Sequence, residues 1–137
     1  RISDVLYTMY DVSPEGICGN DDTGQMSAWY VFSSLGFYPV THGEGVYFIG
    51  TPIFKKAVVR HPMGQLAILA PNVSRENSYI QSVWVNGVSC SKNWLTHKQL
   101  FTGDVTLEFE MGPEPNKSWG SAPDDCPLSM CDRLKKE

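Results

Sequence analysis

The sequence predicts an α+β chain in which two helices precede a run of antiparallel strands. Three observations carry that reading. Residues 22–35 form an apolar run entered through the Gly-bracketed acidic turn Gly19-Asn20-Asp21-Asp22-Thr23-Gly24 and ended by Gly36, a natural left-handed stop. Pro39 then closes the helical texture, and short β-branched and aromatic runs follow, punctuated by Gly, Pro and Asn-Gly. Finally, Val105, Leu107, Phe109 and Met111 alternate with polar residues, the period of a strand with one buried face.

Taken in order, Ser3 is placed to cap a short helix over residues 4–10, with Val5, Leu6, Met9 and Tyr10 at helical spacing. Ser13-Pro14-Glu15-Gly16 is turn chemistry. In the second helix Asp22 is the expected N-cap, with Gln25 in the capping-box position. Met26, Ala28, Trp29, Tyr30, Val31, Phe32 and Leu35 leave that helix no wide polar face, so it belongs inside something larger. Strands are expected over residues 46–49, 57–61, 65–70 and 79–85, with a hairpin turn at Pro62-Met63-Gly64 and another at Asn86-Gly87. Thr96 is placed to cap a helical turn reaching Phe101, and the alternating strand occupies residues 105–111. Beyond Gly112, Pro113, Pro115, Pro123 and Pro127 mark an irregular tail. These textures divide the chain into a helical part (1–40), an antiparallel β region (41–112) and a tail (113–137).

A formal net charge of −4 without a Lys/Arg run argues against nucleic acid; the one basic cluster, Arg133, Lys135 and Lys136, reads as a solvated tail. No apolar run approaches the roughly 20 residues of a membrane span. The opening Arg1-Ile2-Ser3-Asp4 lacks Met and any leader pattern, and reads as a cut from a longer polypeptide. Cys18, Cys90, Cys126 and Cys131 fit no paired zinc spacing; as disulfides they leave three connectivities open. The sequons at Asn72 and Asn116 are compatible with secretion. His42, His61 and His97 are scattered, with no nucleophile motif around them.

Carboxylates at a helix N-terminus meet free N–H groups and the positive end of the dipole, which favour the ionised form. Asp21 and Asp22 are therefore candidates for base, nucleophile or metal ligand rather than proton donor. The plainer alternative is that Asp22 caps the helix while Asp21 is solvated. An EF-hand reading of Asn20-x-Asp22-x-Gly24 fails, because Gly falls early and Val31 stands where the bidentate Glu belongs. Trp29 and Tyr30 have faces suited to sugar C–H surfaces, but on so apolar a helix they also read as core.

The run Gly19-Asn20-Asp21-Asp22-x-Gly24-Gln25-Met26-Ser27-Ala28-Trp29-Tyr30-Val31-Phe32 resembles the signature of glycoside hydrolase family 92. The resemblance continues through Leu35-Gly36-Phe37-Tyr38-Pro39-Val40 and Tyr47-Phe48-Ile49-Gly50-Thr51-Pro52. It returns at Asn77-Ser78-Tyr79-Ile80-Gln81-Ser82, at Leu107-Glu108-Phe109-Glu110-Met111-Gly112 and at Pro115-Asn116-Lys117-Ser118-Trp119-Gly120. It implies the last helices of an (α/α)6-barrel catalytic domain followed by an antiparallel β-sandwich-like region. The activity implied is that of a calcium-dependent, inverting exo-α-mannosidase acting on mannose-containing glycans outside the cell or in the periplasm.

By the same resemblance Asp22 matches the general base, with Asp21 its neighbour; Trp29, by its flat apolar face alone, is a candidate sugar contact. Many family members carry Glu where this chain has Asp21, a departure at that position. The general acid and most calcium ligands are implied to lie in the remainder of the enzyme polypeptide, so this stretch alone is expected to be inactive; it is also expected to fold poorly alone, because a helix apolar all round would expose its surface. Glu15 is the one nearby carboxylate to offer as acid, in a setting that reads as an exposed turn. The competing function is a non-catalytic β-rich module, structural or carbohydrate-binding.

Overall fold

The computed structural model describes residues 2–41 and 43–127; the expectations resting on His42, Cys131, Arg133, Lys135 and Lys136 lie outside the described residues. The fold is α+β. Helix α1, Ile2–Thr8, buries Leu6. It begins before Ser3, which therefore sits within the first turn rather than at the cap. It also ends before Tyr10, because Tyr10 pairs with Ile17 in an isolated bridge. That bridge closes the expected turn, where the Gly16 N–H donates to Ser13 O at 3.0 Å.

Helix α2, Gln25–Leu35, stops at Gly36 (φ 88°), whose N–H reaches back to Phe32 and Ser33 carbonyls. Phe32 and Leu35 pack against the core, and Ser33 and Ser34 are buried. The other face is open: Val31 is 55% exposed and Ala28 is exposed. An apolar helix with one uncovered side is what the all-round apolar sequence leaves when nothing packs against that side.

Among the described residues eight strands follow: β1 Phe37–Tyr38, β2 Val46–Ile49, β3 Lys56–His61, β4 Gly64–Leu69, β5 Tyr79–Val85, β6 Val88–Ser89, β7 Trp94–Thr96 and β8 Val105–Gly112. Between β7 and β8 lies α3, His97–Phe101, where Thr96 and Gln99 form a reciprocal capping box. The strands make a three-stranded sheet, β1-β2-β7, and a five-stranded sheet, β3-β4-β8-β5-β6. The hairpins fall where the local code puts them. Asn86 (φ 51°) and Gly87 (φ 76°) both adopt the left-handed conformation that a two-residue turn of this hand demands. In the first hairpin Gly64 pairs with His61, so only Pro62 and Met63 form the loop.

The sheet is mixed rather than wholly antiparallel. Strand β8 slots between the two hairpins, antiparallel to β5 but parallel to β4, with Leu66 opposite Val105 and Ile68 opposite Leu107. Hairpin signals report only neighbours in sequence, and this pairing joins segments far apart in the chain. The two sheets share one core: Phe37 and Leu95 from the first meet Leu66, Ile68, Val83, Leu107 and Phe109 from the second. As the alternation requires, Val105, Leu107, Phe109 and Met111 are all buried.

A β-bulge between Ile80 and Ser82 leaves Gln81 outside the β5–β8 ladder. Residues 113–127 are strapped there: Gln81 Nε2 donates to Glu114 O (2.8 Å) and Asn116 Nδ2 to Gln81 O (2.8 Å). Farther along, Trp119 Nε1 donates to Cys90 O (2.9 Å) and Ser91 Oγ to Asp125 Oδ1 (2.5 Å).

Candidate functional site

The acidic loop stands at the exposed N-terminal end of α2, but its two aspartates exchange the roles that capping rules assign them. Residues Asp22–Gly24 form a 3₁₀ turn, and Gly24 (φ 80°) is the N-cap of α2. Thr23 takes φ 55°, ψ 24°, a left-handed conformation uncommon for a β-branched residue. This reversal folds Asp21 back onto the first turn of the helix. Asp21 Oδ1 accepts from the N–H groups of Met26 (2.8 Å) and Ser27 (3.1 Å), and Oδ2 accepts from Ser27 Oγ (2.5 Å). Asp22 is therefore not the N-cap, and no capping box with Gln25 forms.

Ser27, through its hydroxyl and then its N–H, holds the Asp21 carboxyl below its ordinary value, with a smaller share from the Met26 N–H; desolvation opposes them. The carboxylate of Asp22 is exposed and accepts no hydrogen bond from the described residues; its carbonyl accepts from Thr23 Oγ1 at 2.7 Å and from the Gln25 N–H. Ser27 is the partner that sequence reasoning missed. The six-residue reach from Asp21 matches no capping template.

Behind the loop stands an aromatic wall. The Tyr10 ring stacks on Trp29 (centroids 5.8 Å apart, 21° between planes) and packs against Tyr30 at 4.9 Å. Burial first, then the neighbouring Cys18 and Asp21, raise the Tyr10 phenol above its ordinary value, so it stays protonated. Trp29 is half-buried and borders an open groove with Val5, Tyr10, Cys18, Gln25 and Met26. Neither aspartate lines that groove. Trp29 is thus partly a packing residue and partly a wall beside the loop.

The other candidates fall elsewhere. Glu15 is exposed on its turn. His97 Nδ1 lies 3.0 Å from Tyr47 Oη, and His61 packs on Phe101, both within one aromatic cluster with Phe37. Cys18, Cys90 and Cys126 are free thiols. The amides of both sequons are spent on backbone: Asn72 Nδ2 donates to Met111 O (2.6 Å), and Asn116 Nδ2 to Gln81 O. Among the described residues no three His, Cys, Asp or Glu side chains converge as a metal site. Asn20, Asp21 and Asp22 supply oxygen donors, but Asp21 is occupied by the helix. This stretch does not by itself fit a calcium centre. No helix among the described residues is long and apolar enough to cross a membrane.

Comparison with known proteins bears on what this arrangement serves. Residues 1–113 match the model of the glycosyl hydrolase family 92 catalytic domain. The chain is 36% identical, over 141 aligned positions, to an uncharacterized secreted glycosidase of Arthroderma benhamiae, spanning 100% of this chain and 18% of that one. A family GH92 alpha-mannosidase from Bacteroides thetaiotaomicron, solved with mannoimidazole, superposes with a TM-score of 0.89 at 35% identity over 94% of this chain and 17% of its own. An inverting family GH92 mannosidase of the same species gives 0.86 at 38% identity, over 93% and 17%. The chain thus spans less than a fifth of the length of the relatives it matches.

Proposed function

The chain belongs to glycosyl hydrolase family 92, and from that premise we propose that it is the C-terminal part of a calcium-dependent, inverting exo-α-mannosidase that removes terminal α-linked mannose from glycans, with Asp22 as general base. The observation that supports Asp22 is its open carboxylate, beside an Asp21 whose oxygens are committed to Met26 and Ser27. A base needs a free lone pair to receive a proton from water. In an inverting hydrolysis Asp22 would take that proton as the water oxygen attacks the anomeric carbon, while a carboxylic acid on the opposite face protonates the departing glycosidic oxygen. Those two carboxyl groups stand roughly 6.5–9.5 Å apart, with the water between them. Adjacent residues of one turn cannot form that pair, and Glu15 sits on an exposed turn. The family resemblance implies that the acid comes from the remainder of the polypeptide.

In this reading residues 1–40 are the last helices of an (α/α)6 barrel, 41–112 the β region packed against it, and 113–137 a tail. The uncovered Val31, Val12 and Ile17, which are 55%, 107% and 37% exposed, are the surface such a barrel would cover. Calcium, held mainly by oxygen ligands outside this stretch, would polarise sugar hydroxyls when bound. Trp29 would offer its free edge to the sugar. Likeness to a secreted glycosidase supports placement outside the cell or in the periplasm. Without its acid partner the 137-residue chain would be inactive. The match of residues 1–113 to a catalytic-domain model supports this reading over a non-catalytic β-rich module.

The test is Asp22→Asn in the full-length enzyme. Loss of a general base lowers turnover by about 10²- to 10⁴-fold. Near wild-type turnover by a folded variant would exclude Asp22 from that role.

A further inference from the structure

We infer that Asp21 is the positioning residue of the acidic loop and Ser27 its partner, the two clipping the loop onto the first turn of α2 so that Asp22 faces outward. The inference rests on the proposed role of Asp22 and adds the device that aims it. Asp21 holds three donors on two oxygens, two from the backbone of α2 and one from a side chain on the same turn. The clip spans five and six residues, and it closes only because Thr23 and Gly24 are both left-handed. Glycine adopts that conformation freely; threonine does so at a cost. Three contacts hold Thr23 there: its hydroxyl donates to Asp22 O (2.7 Å), the Gly24 N–H closes the turn onto Asp21 O (3.3 Å), and the Gln25 N–H donates to Asp22 O. Those bonds fix the backbone on both sides of Asp22 and leave its carboxylate free. Ser27 is half-buried and shares a groove with Leu6, Tyr10 and Tyr30, so the anchored end of the clip is set against packed side chains.

The experiment compares Ser27→Ala, Ser27→Thr, Asp21→Asn and Asp22→Asn in the full-length enzyme with an aryl α-mannoside, measuring kcat, KM and the pH profile of kcat/KM. Ser27→Ala is expected to lower kcat about tenfold with KM near wild type and the acid limb of the profile in place, since small misplacements of reacting groups cost rates of this order. Ser27→Thr restores the hydroxyl and should recover most of the loss. Asp21→Asn should cost more than Ser27→Ala, again with the acid limb retained, whereas Asp22→Asn should erase that limb. If Ser27→Ala and Asp21→Asn keep kcat within twofold of wild type while Asp22→Asn is inactive, the clip is refuted and the base assignment stands. If Asp22→Asn stays active while Asp21→Asn loses the acid limb, Asp21 is the proton acceptor and both assignments fall. Should Asp21→Asn not fold, the two Ser27 variants decide the matter.

Discussion

Replacing Asn116 with alanine should release the strap of residues 113–127 while leaving the sheet beneath it intact. Asn116 is half-buried over the β5 bulge, and its side chain makes four hydrogen bonds. Nδ2 donates to the Gln81 carbonyl at 2.8 Å. Oδ1 accepts from Ser118 N (3.0 Å), Ser118 Oγ (2.7 Å) and Trp119 N (3.3 Å). The bulge has removed Gln81 from its ladder, so the alanine variant also leaves that carbonyl without its partner. A net contribution of about 0.5–1.5 kcal/mol per bond, taken at its low end for partly exposed groups, gives about 2–3 kcal/mol. At 1.36 kcal/mol per tenfold, the opened population rises about 30- to 160-fold. Hydrogen exchange at the Ser118 and Trp119 amides should quicken by that factor, and native-state proteolysis within 113–127 should follow it. Asn116→Asp keeps the acceptor but turns a carboxylate oxygen toward the Gln81 carbonyl, so it should open the strap as well. Ser118→Ala, which removes one exposed bond, should cost less than about 1 kcal/mol. Exchange in Asn116→Ala within threefold of wild type would show that the side chain does not hold the strap.

The same commitments predict that neither sequon carries a glycan in the folded protein, since the Asn72 and Asn116 amides are both in use; an intact glycopeptide from either site, after secretion from a eukaryotic host, would contradict this. Leu107 is 0% exposed on β8, between β4 and β5. Leu107→Ala should cost about 2–5 kcal/mol, read from the midpoint of urea unfolding. Asp21 has a lowered carboxyl pKa in the fold, caused first by the Ser27 hydroxyl. Its contribution to stability is therefore complete above the unfolded value of about 3.9 and is lost as pH falls through the lower folded value. The Met26 and Ser27 amides should stay protected at pH 4 and open only in stronger acid, and an ordinary carboxyl titration by NMR would refute the anchoring.

What was legible in the sequence was local. Asn86-Gly87, the Thr96 cap, the Gly36 stop and the alternation over residues 105–111 each encode geometry within a few residues, and each is found in place. Strands β1 and β7, two and three residues long, are too short for any periodicity to register. The parallel β4–β8 pairing is set by the shared core, which no turn signal reports. At the acidic loop the error was one residue and it mattered. Capping templates place the carboxylate next to the first helical turn, whereas here a left-handed Thr23 lets Asp21 reach it from farther back.

The β region, although remote from the acidic loop, bears on where the loop sits. Helix α2 is gripped at its C-terminal end: the Gly50 N–H donates to Gly36 O (2.9 Å) and the Ile53 N–H to Ser34 O (3.1 Å). Phe32 meets Phe37 and Tyr47 of the three-stranded sheet at 5.7 and 6.2 Å. Gly36 fits so closely that a Cβ there would stand 3.0 Å from Pro52. The loop hangs from the other end of 11 residues, about 16 Å away at 1.5 Å per residue. A tilt of roughly 5° at that grip displaces Asp22 by about 1.4 Å over that length. Displacements of that size cost reacting groups about a hundredfold in rate. Under the proposed role of Asp22, the packing around Gly36 and Phe37 is therefore part of the aiming of the loop as well as part of the stability of the shared core.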